Sequence, residues 1–195
     1  MKALIKRNLE GRKVLLFFLL TNAVFGAMIF YSIPKLMAYS GGLRILDMMP
    51  AGYDFPYVKS LFTALGKEGR AAYLTLQLPL DMLYPGLFGV SYALLMGYFL
   101  KKTGKLETWY FKLVYLPLIA AFFDYLENIG IFFLLNSYPA LPPSLVSLTS
   151  IVSVLKSVLS AIFFVTLILI FLAFIRNLVF RKPKLNTSAK IPDKA

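Results

Sequence analysis

The chain has 195 residues, 59% of them hydrophobic and 15% charged, and its 21 Lys and Arg against 9 Asp and Glu give a formal charge of +12. That basic excess would suit nucleic acid, but a mean hydropathy of +0.73 belongs to a membrane protein, not to a soluble or disordered chain. With no Cys and no His, disulfides, thiol chemistry, the commonest metal ligand and the usual neutral-pH general base are all missing.

A helix crossing the hydrocarbon core needs about 20 mainly apolar residues. Residues 14–33 supply the first run, uncharged, behind Lys2, Lys6, Arg7, Arg12 and Lys13 and stopped by Pro34. It exceeds the ~7–15 residues of a signal-peptide core and lacks a small-x-small cleavage site, so it reads as a retained span. An outer loop follows over 34–70. Gly41–Gly42 and Pro50 to Pro56 are turn-rich. After Asp54, a candidate N-cap, Val58, Leu61, Phe62 and Leu65 recur at helical spacing, Lys59, Ser60 and Thr63 take the opposite face, and Gly66 can close the helix. This predicts an amphipathic helix that lies on the outer interface, lids the bundle, or is an ordinary packed loop helix.

The second span covers about 71–100, with Asp81 its only charge; the third, about 113–135, carries Asp124 and Glu127. Residues 136–144 form a short extended connector. The fourth span, about 145–175, holds only Lys156, and 181–195 is a basic tail expected to be disordered and cytoplasmic. The fold class is all-α: one polytopic domain over 1–180, a four-transmembrane-helix bundle with an amphipathic helix between spans one and two. The N-terminal segment, the 101–112 connection and the tail hold most of the Lys and Arg. By the positive-inside rule both termini are cytoplasmic in a multi-pass cell-membrane protein.

Ionisable groups within spans are rare and costly, so each is a functional candidate. At ~1.5 Å of rise per residue, Asp81, Asp124, Glu127, Asn128, Lys156 and Asn22 all fall roughly 12–18 Å below the outer boundary. They also share faces. Arg70, Tyr73, Gln77, Asp81 and Tyr84 form one stripe; Asp124, Glu127 and Asn128 form a second; Thr149, Ser153, Lys156 and Ser160 form a third. Three polar stripes on apolar helices should face one another across a polar cavity, expected to open toward the loop helix. Pro79 and Pro85 flank Asp81; a proline inside a span frees a backbone carbonyl, which nearby polar groups must satisfy.

Asp81, Asp124 and Glu127 are the candidate acid/base groups, since burial and like charge favour retention of a proton. Arg70, Tyr73, Gln77, Tyr84, Asn128 and Lys156 are the candidate binding residues. Lys156 either neutralises an acid or meets an anionic headgroup. The oxygen ligands make a Mg²⁺ or Ca²⁺ site conceivable, leaving the metal undetermined; no cofactor is implied.

Gly52-Tyr53, Ala64-Leu65-Gly66-x-Glu68-Gly69-Arg70-x-x-Tyr73, Asp81-x-x-Tyr84-Pro85 and Asp124-x-x-Glu127-Asn128 together resemble a scattered group of uncharacterised prokaryotic four-span membrane proteins. The resemblance covers roughly residues 45 to 135, implies the four-helix architecture and brings no reaction with it. Asp124, Asn128 and Gly130 are also weakly similar to the late-span pattern of VanZ-like, lipocone-type membrane proteins. That kinship would imply chemistry on lipid or polyprenyl headgroups, although Tyr84 stands where those proteins place a His.

Three readings follow. The first is an enzyme or binding protein for a lipid headgroup, with membrane lipids as partners and Arg70 and Lys156 as anion contacts. The second is a proton-coupled transporter, for which four spans without an inverted repeat would require a homo-oligomer, specifically a homodimer. The third is a structural bundle whose Lys156 pairs with an acid to fix helix register.

Overall fold

The computed structural model describes residues 2–180; the tail expected over 181–195 lies outside them. Among the described residues there are helices and turns and no strand. Four helical stretches are long and apolar enough to cross a membrane: Gly11–Tyr39, Phe55–Lys102, Trp109–Ser137 and Pro143–Val179.

The basic N-terminus is itself helical. Helix α1 (Lys2–Arg7) buries Ile5, and Leu9 just beyond it is 3% exposed. Gly97 of the second span leaves room for it, because a Cβ there would come within 2.9 Å of Leu9 Cδ2. Helix α2 (Gly11–Ala27) then runs through a π turn, Met28–Ser32, into α3 (Ile33–Tyr39). Pro34 therefore does not stop the first span. It falls in the first turn of α3, directly after the wider π turn in which Ile33 N–H reaches Met28 O. A proline is tolerated there because its missing N–H and fixed φ suit the start of a helical segment. The helix ends instead at Gly41 and Gly42, both at positive φ, where a side chain would strain the backbone.

Residues 40–54 fold inward. Ile45 and Leu46 are fully buried, and a single turn spans Leu46–Met48. Helix α4 (Phe55–Ala72) starts at Asp54, whose carboxylate accepts the Tyr57 N–H at 2.8 Å, as an N-cap should. Its apolar face is buried as the spacing predicts: Val58, Leu61 and Phe62 are fully covered and Leu65 nearly so. Burial of such side chains is worth roughly 1.5–3 kcal/mol each relative to exposure. This segment is thus a seated lid. Gly66, at φ 63° and ψ −172°, breaks the helix between the lid and the start of the second span, a conformation essentially confined to glycine.

The second span continues through a π turn at Tyr73–Gln77 into α5 (Leu78–Lys102). The third begins with a 3-10 stretch, Trp109–Tyr115, and becomes α6 (Leu116–Ser137); the fourth is α7 (Pro143–Val179). Span two packs against spans one and three, and span three against span four, whereas spans one and four make no extensive contact. One apolar core lies under the lid around Phe62, Tyr73 and Ile131. The other lies toward the end where α1 and Lys101–Lys102 sit, around Phe88, Met96 and Phe163. These two extremities are named here the lid end and the basic end.

Candidate functional site

The three polar stripes do converge. Tyr73, Gln77, Asp81, Asp124, Glu127, Asn128, Thr149 and Ser153 are all buried. At the centre, Lys156 of α7 lies 3.4 Å from Asp124 Oδ1 and forms an ion pair with Glu127, both acids on α6. The Glu127 side chain is fully buried, while those of Asp124 and Lys156 keep 13% and 16% exposure. Spacing of i, i+3 on α6 puts both carboxylates on one face, and a long lysine stem reaches between them.

Proline chemistry positions the second span against this group. Pro85 has no N–H, which leaves the carbonyl of Asp81 without its partner one turn on. Asn128 Nδ2 of α6 donates to that carbonyl at 2.6 Å. Asn128 therefore satisfies a freed backbone group and joins spans two and three. Gln77 likewise accepts from Ser32 Oγ at 2.5 Å, tying span two to the π turn of span one.

Two candidates lie outside the ion-pair centre, one at the lid and one on the wall of the space beside it. Arg70 donates to Phe62 O at 2.6 Å and covers the Tyr138 ring at 4.2 Å, so it latches the lid and does not enter the acid cluster. Its expected role as an anion contact in that cluster is corrected. Tyr84 stacks on Phe25 of span one, centroids 5.4 Å apart, at the edge of the cluster.

One acid had not been anticipated. Asp47, in the inward-folded loop, accepts from Tyr73 Oη at 2.9 Å and lies beside the Asp81 carboxyl, while its own Oδ1 is buried without a partner. Burial, with the Glu127 charge next, pushes the Asp47 carboxyl up from 3.8 to about 6. Its only sequence signal is an acid set among Ile45, Leu46, Met48 and Met49. The loop is held inward by Ser150 of α7, whose Oγ accepts the Tyr53 N–H at 2.8 Å. Gly52 makes that approach possible, since a Cβ there would stand 2.7 Å from Ser150 Oγ.

A raised carboxyl pKa favours the neutral form in the fold, so the contribution of Asp47 to stability is complete below about pH 4 and is lost as pH rises through about 6. Asp47→Asn cannot ionise. Its melting temperature relative to the parent should rise between pH 4.5 and pH 8 in detergent; parallel melting curves across that range would contradict the assignment.

The cavity beside the cluster does not open toward the lid, as the stripes alone had suggested. A space of about 380 Å³ is lined by Asn22 and Phe25 of span one, Tyr84 and Tyr92 of span two, Asp124, and Lys156, Ser160 and Phe164 of span four. The lid and the loop fill the other side. Because spans one and four do not close on each other, an apolar groove of about 560 Å³ lies between them beside this pocket; the two share Tyr92 and Phe164 as a wall, whose rings meet edge to face with centroids 6.0 Å apart. Among the described residues no three Asp or Glu side chains are arranged to hold a metal ion. The cluster can therefore accept hydrogen bonds, hold or move protons, and meet one polar group arriving from the side.

No protein-family model, curated protein or solved structure matches the chain.

Proposed function

We propose that this is a multi-pass membrane protein that receives the polar end of a lipid or polyprenyl compound from the bilayer at Asp124, Glu127 and Lys156. The observation that carries the reading is the adjacency of the polar pocket and the apolar groove between spans one and four, which share Tyr92 and Phe164 as a wall. An amphiphile needs such a pair of adjoining surfaces, one for its chain and one for its head. Acids outnumber the single lysine, so the favoured head offers hydroxyl or ammonium donors, with Asp124 as acceptor or general base and Lys156 holding its orientation. Asp81 and Asp47 lie behind them, each with a carboxyl oxygen buried. The test is lipid photocrosslinking in native membranes: the parent should capture a lipid that Asp124→Asn, with an unchanged melting temperature, captures at least tenfold less. Equal labelling of both proteins would remove the proposal.

In this reading the basic end faces the cytoplasm, supported by Lys2, Lys6, Arg7, Arg12, Lys13, Lys101, Lys102, Lys105 and Lys112. The cysteine-free chain makes that easy to check. A single cysteine at Ser144 should react with an impermeant maleimide in intact cells, and one at Thr103 only after lysis; the reverse pattern would invert the topology.

A further inference from the structure

The basic end carries a cavity of its own. A space of about 760 Å³ is lined by Lys101, Lys102 and Arg176 together with Tyr98, Phe174 and Asn177. No acidic residue lines it among the described residues, and none of its three cations makes an ion pair among them. Lys102 Nζ lies over the Tyr98 ring at 5.4 Å. Tyr98 is also a wall of the apolar groove, alongside Val14, Phe99, Leu167 and Phe171. A three-cation cavity thus adjoins an apolar groove across Tyr98, at the basic end of the second and fourth spans.

From this juxtaposition we infer a second lipid site: an anionic phospholipid of the leaflet at the basic end, its phosphate between Lys101, Lys102 and Arg176 and one acyl chain in the groove beyond Tyr98. Charge complementarity selects the head, because an arginine fork and two ammonium groups match phosphate oxygens. Hydrophobic burial selects the chain. The groove runs from Gly11 to Phe18 on span one and from Phe164 to Phe171 on span four, about 10 Å at helical rise, enough for the first half of an acyl chain. A free phosphate would use the cations and leave the groove unused. The groove is common to both sites and only the head positions are separate: Asp124→Asn changes the polar pocket and leaves Lys101, Lys102 and Arg176 as they are.

The test is native mass spectrometry of the delipidated, full-length protein with phosphatidylglycerol or phosphatidylcholine added back. The parent should retain phosphatidylglycerol at least tenfold better. Each basic residue near a bilayer surface is worth about fivefold, so the Lys101→Gln, Lys102→Gln, Arg176→Gln triple variant should lose most of that preference. Leu15→Trp, which fills the groove from its exposed side, should lower retention with all three cations present, and millimolar inorganic phosphate should not displace the lipid. Equal retention of the two lipids by the parent, a preference untouched by either variant, or displacement by phosphate would each overturn the site. Melting temperatures within a few degrees of the parent separate these effects from misfolding.

Discussion

Lys156→Met is expected to destabilise the protein by about 3–5 kcal/mol, the usual cost of removing one partner from a buried ion pair. The size follows from what remains: Glu127 fully buried and Asp124 nearly so, on one face of α6 with no cation among them. Burial of an unpaired carboxylate costs far more than the methylenes of methionine return. The companion variant decides what the pair is for. Lys156→Met combined with Asp124→Leu and Glu127→Leu removes every charge at once, and should recover most of the lost stability, since apolar replacement of a whole buried group is often neutral or better. The comparison is read from thermal unfolding in one detergent. A single variant as stable as the parent would mean that Lys156 is not the counter-ion of these acids. Recovered stability without recovered lipid capture would place the group in function; recovery of both would make it a structural bridge.

The second large effect is expected at Gly130. A Cβ there would meet Thr149 Cγ2 at 2.6 Å and Cβ at 3.0 Å across the contact between α6 and α7. Thr149 is 2% exposed and its hydroxyl is held by Leu145 O at 2.8 Å, so it has little freedom to turn away. Gly130→Val should force the two helices apart at a cost of about 1–3 kcal/mol or somewhat more, the range for overpacked cores. Glu127 lies one turn from Gly130, and Lys156 two turns from Thr149. The same wedge should therefore loosen the Lys156–Glu127 pair and reduce lipid capture along with stability. Adding Thr149→Gly should restore both. If the double variant melts as low as the single one, the close approach is not the cause.

The architecture was legible because it rests on long-range averages. Four apolar runs, the lid spacing of Val58, Leu61, Phe62 and Leu65, the cap at Asp54 and the break at Gly66 each follow from local rules. So did the convergence of Asp81, Asp124, Glu127, Asn128 and Lys156, since apolar helices leave a polar stripe nowhere else to go. Tertiary detail was not legible. Pro34 reads as a stop because no local rule foresees the π turn before it. Asn128 looked like a binding residue, yet its amide serves a carbonyl freed on another helix by Pro85. Arg70 belongs to the same stripe as Asp81, but the break at Gly66 turns the lid back so that Arg70 meets its carbonyls. Asp47 sits in a loop, where depth cannot be counted along a helix. The opening direction depended on which spans fail to touch, and that is a property of the whole packing.

The ring of contacts around α6 also bears on how the chain is built into a bilayer. Its span carries two carboxylates and an amide in a window of mean hydropathy 1.7, against 3.0 for the fourth span. Alone in hydrocarbon it would hold two unpaired acids, and the second span would hold the orphaned carbonyl of Asp81. Only a few residues separate α6 from α7, and α7 brings the lysine that the acids require. Spans three and four are thus suited to enter the membrane together as one hairpin, charge already cancelled, and then to dock against the waiting carbonyl of span two.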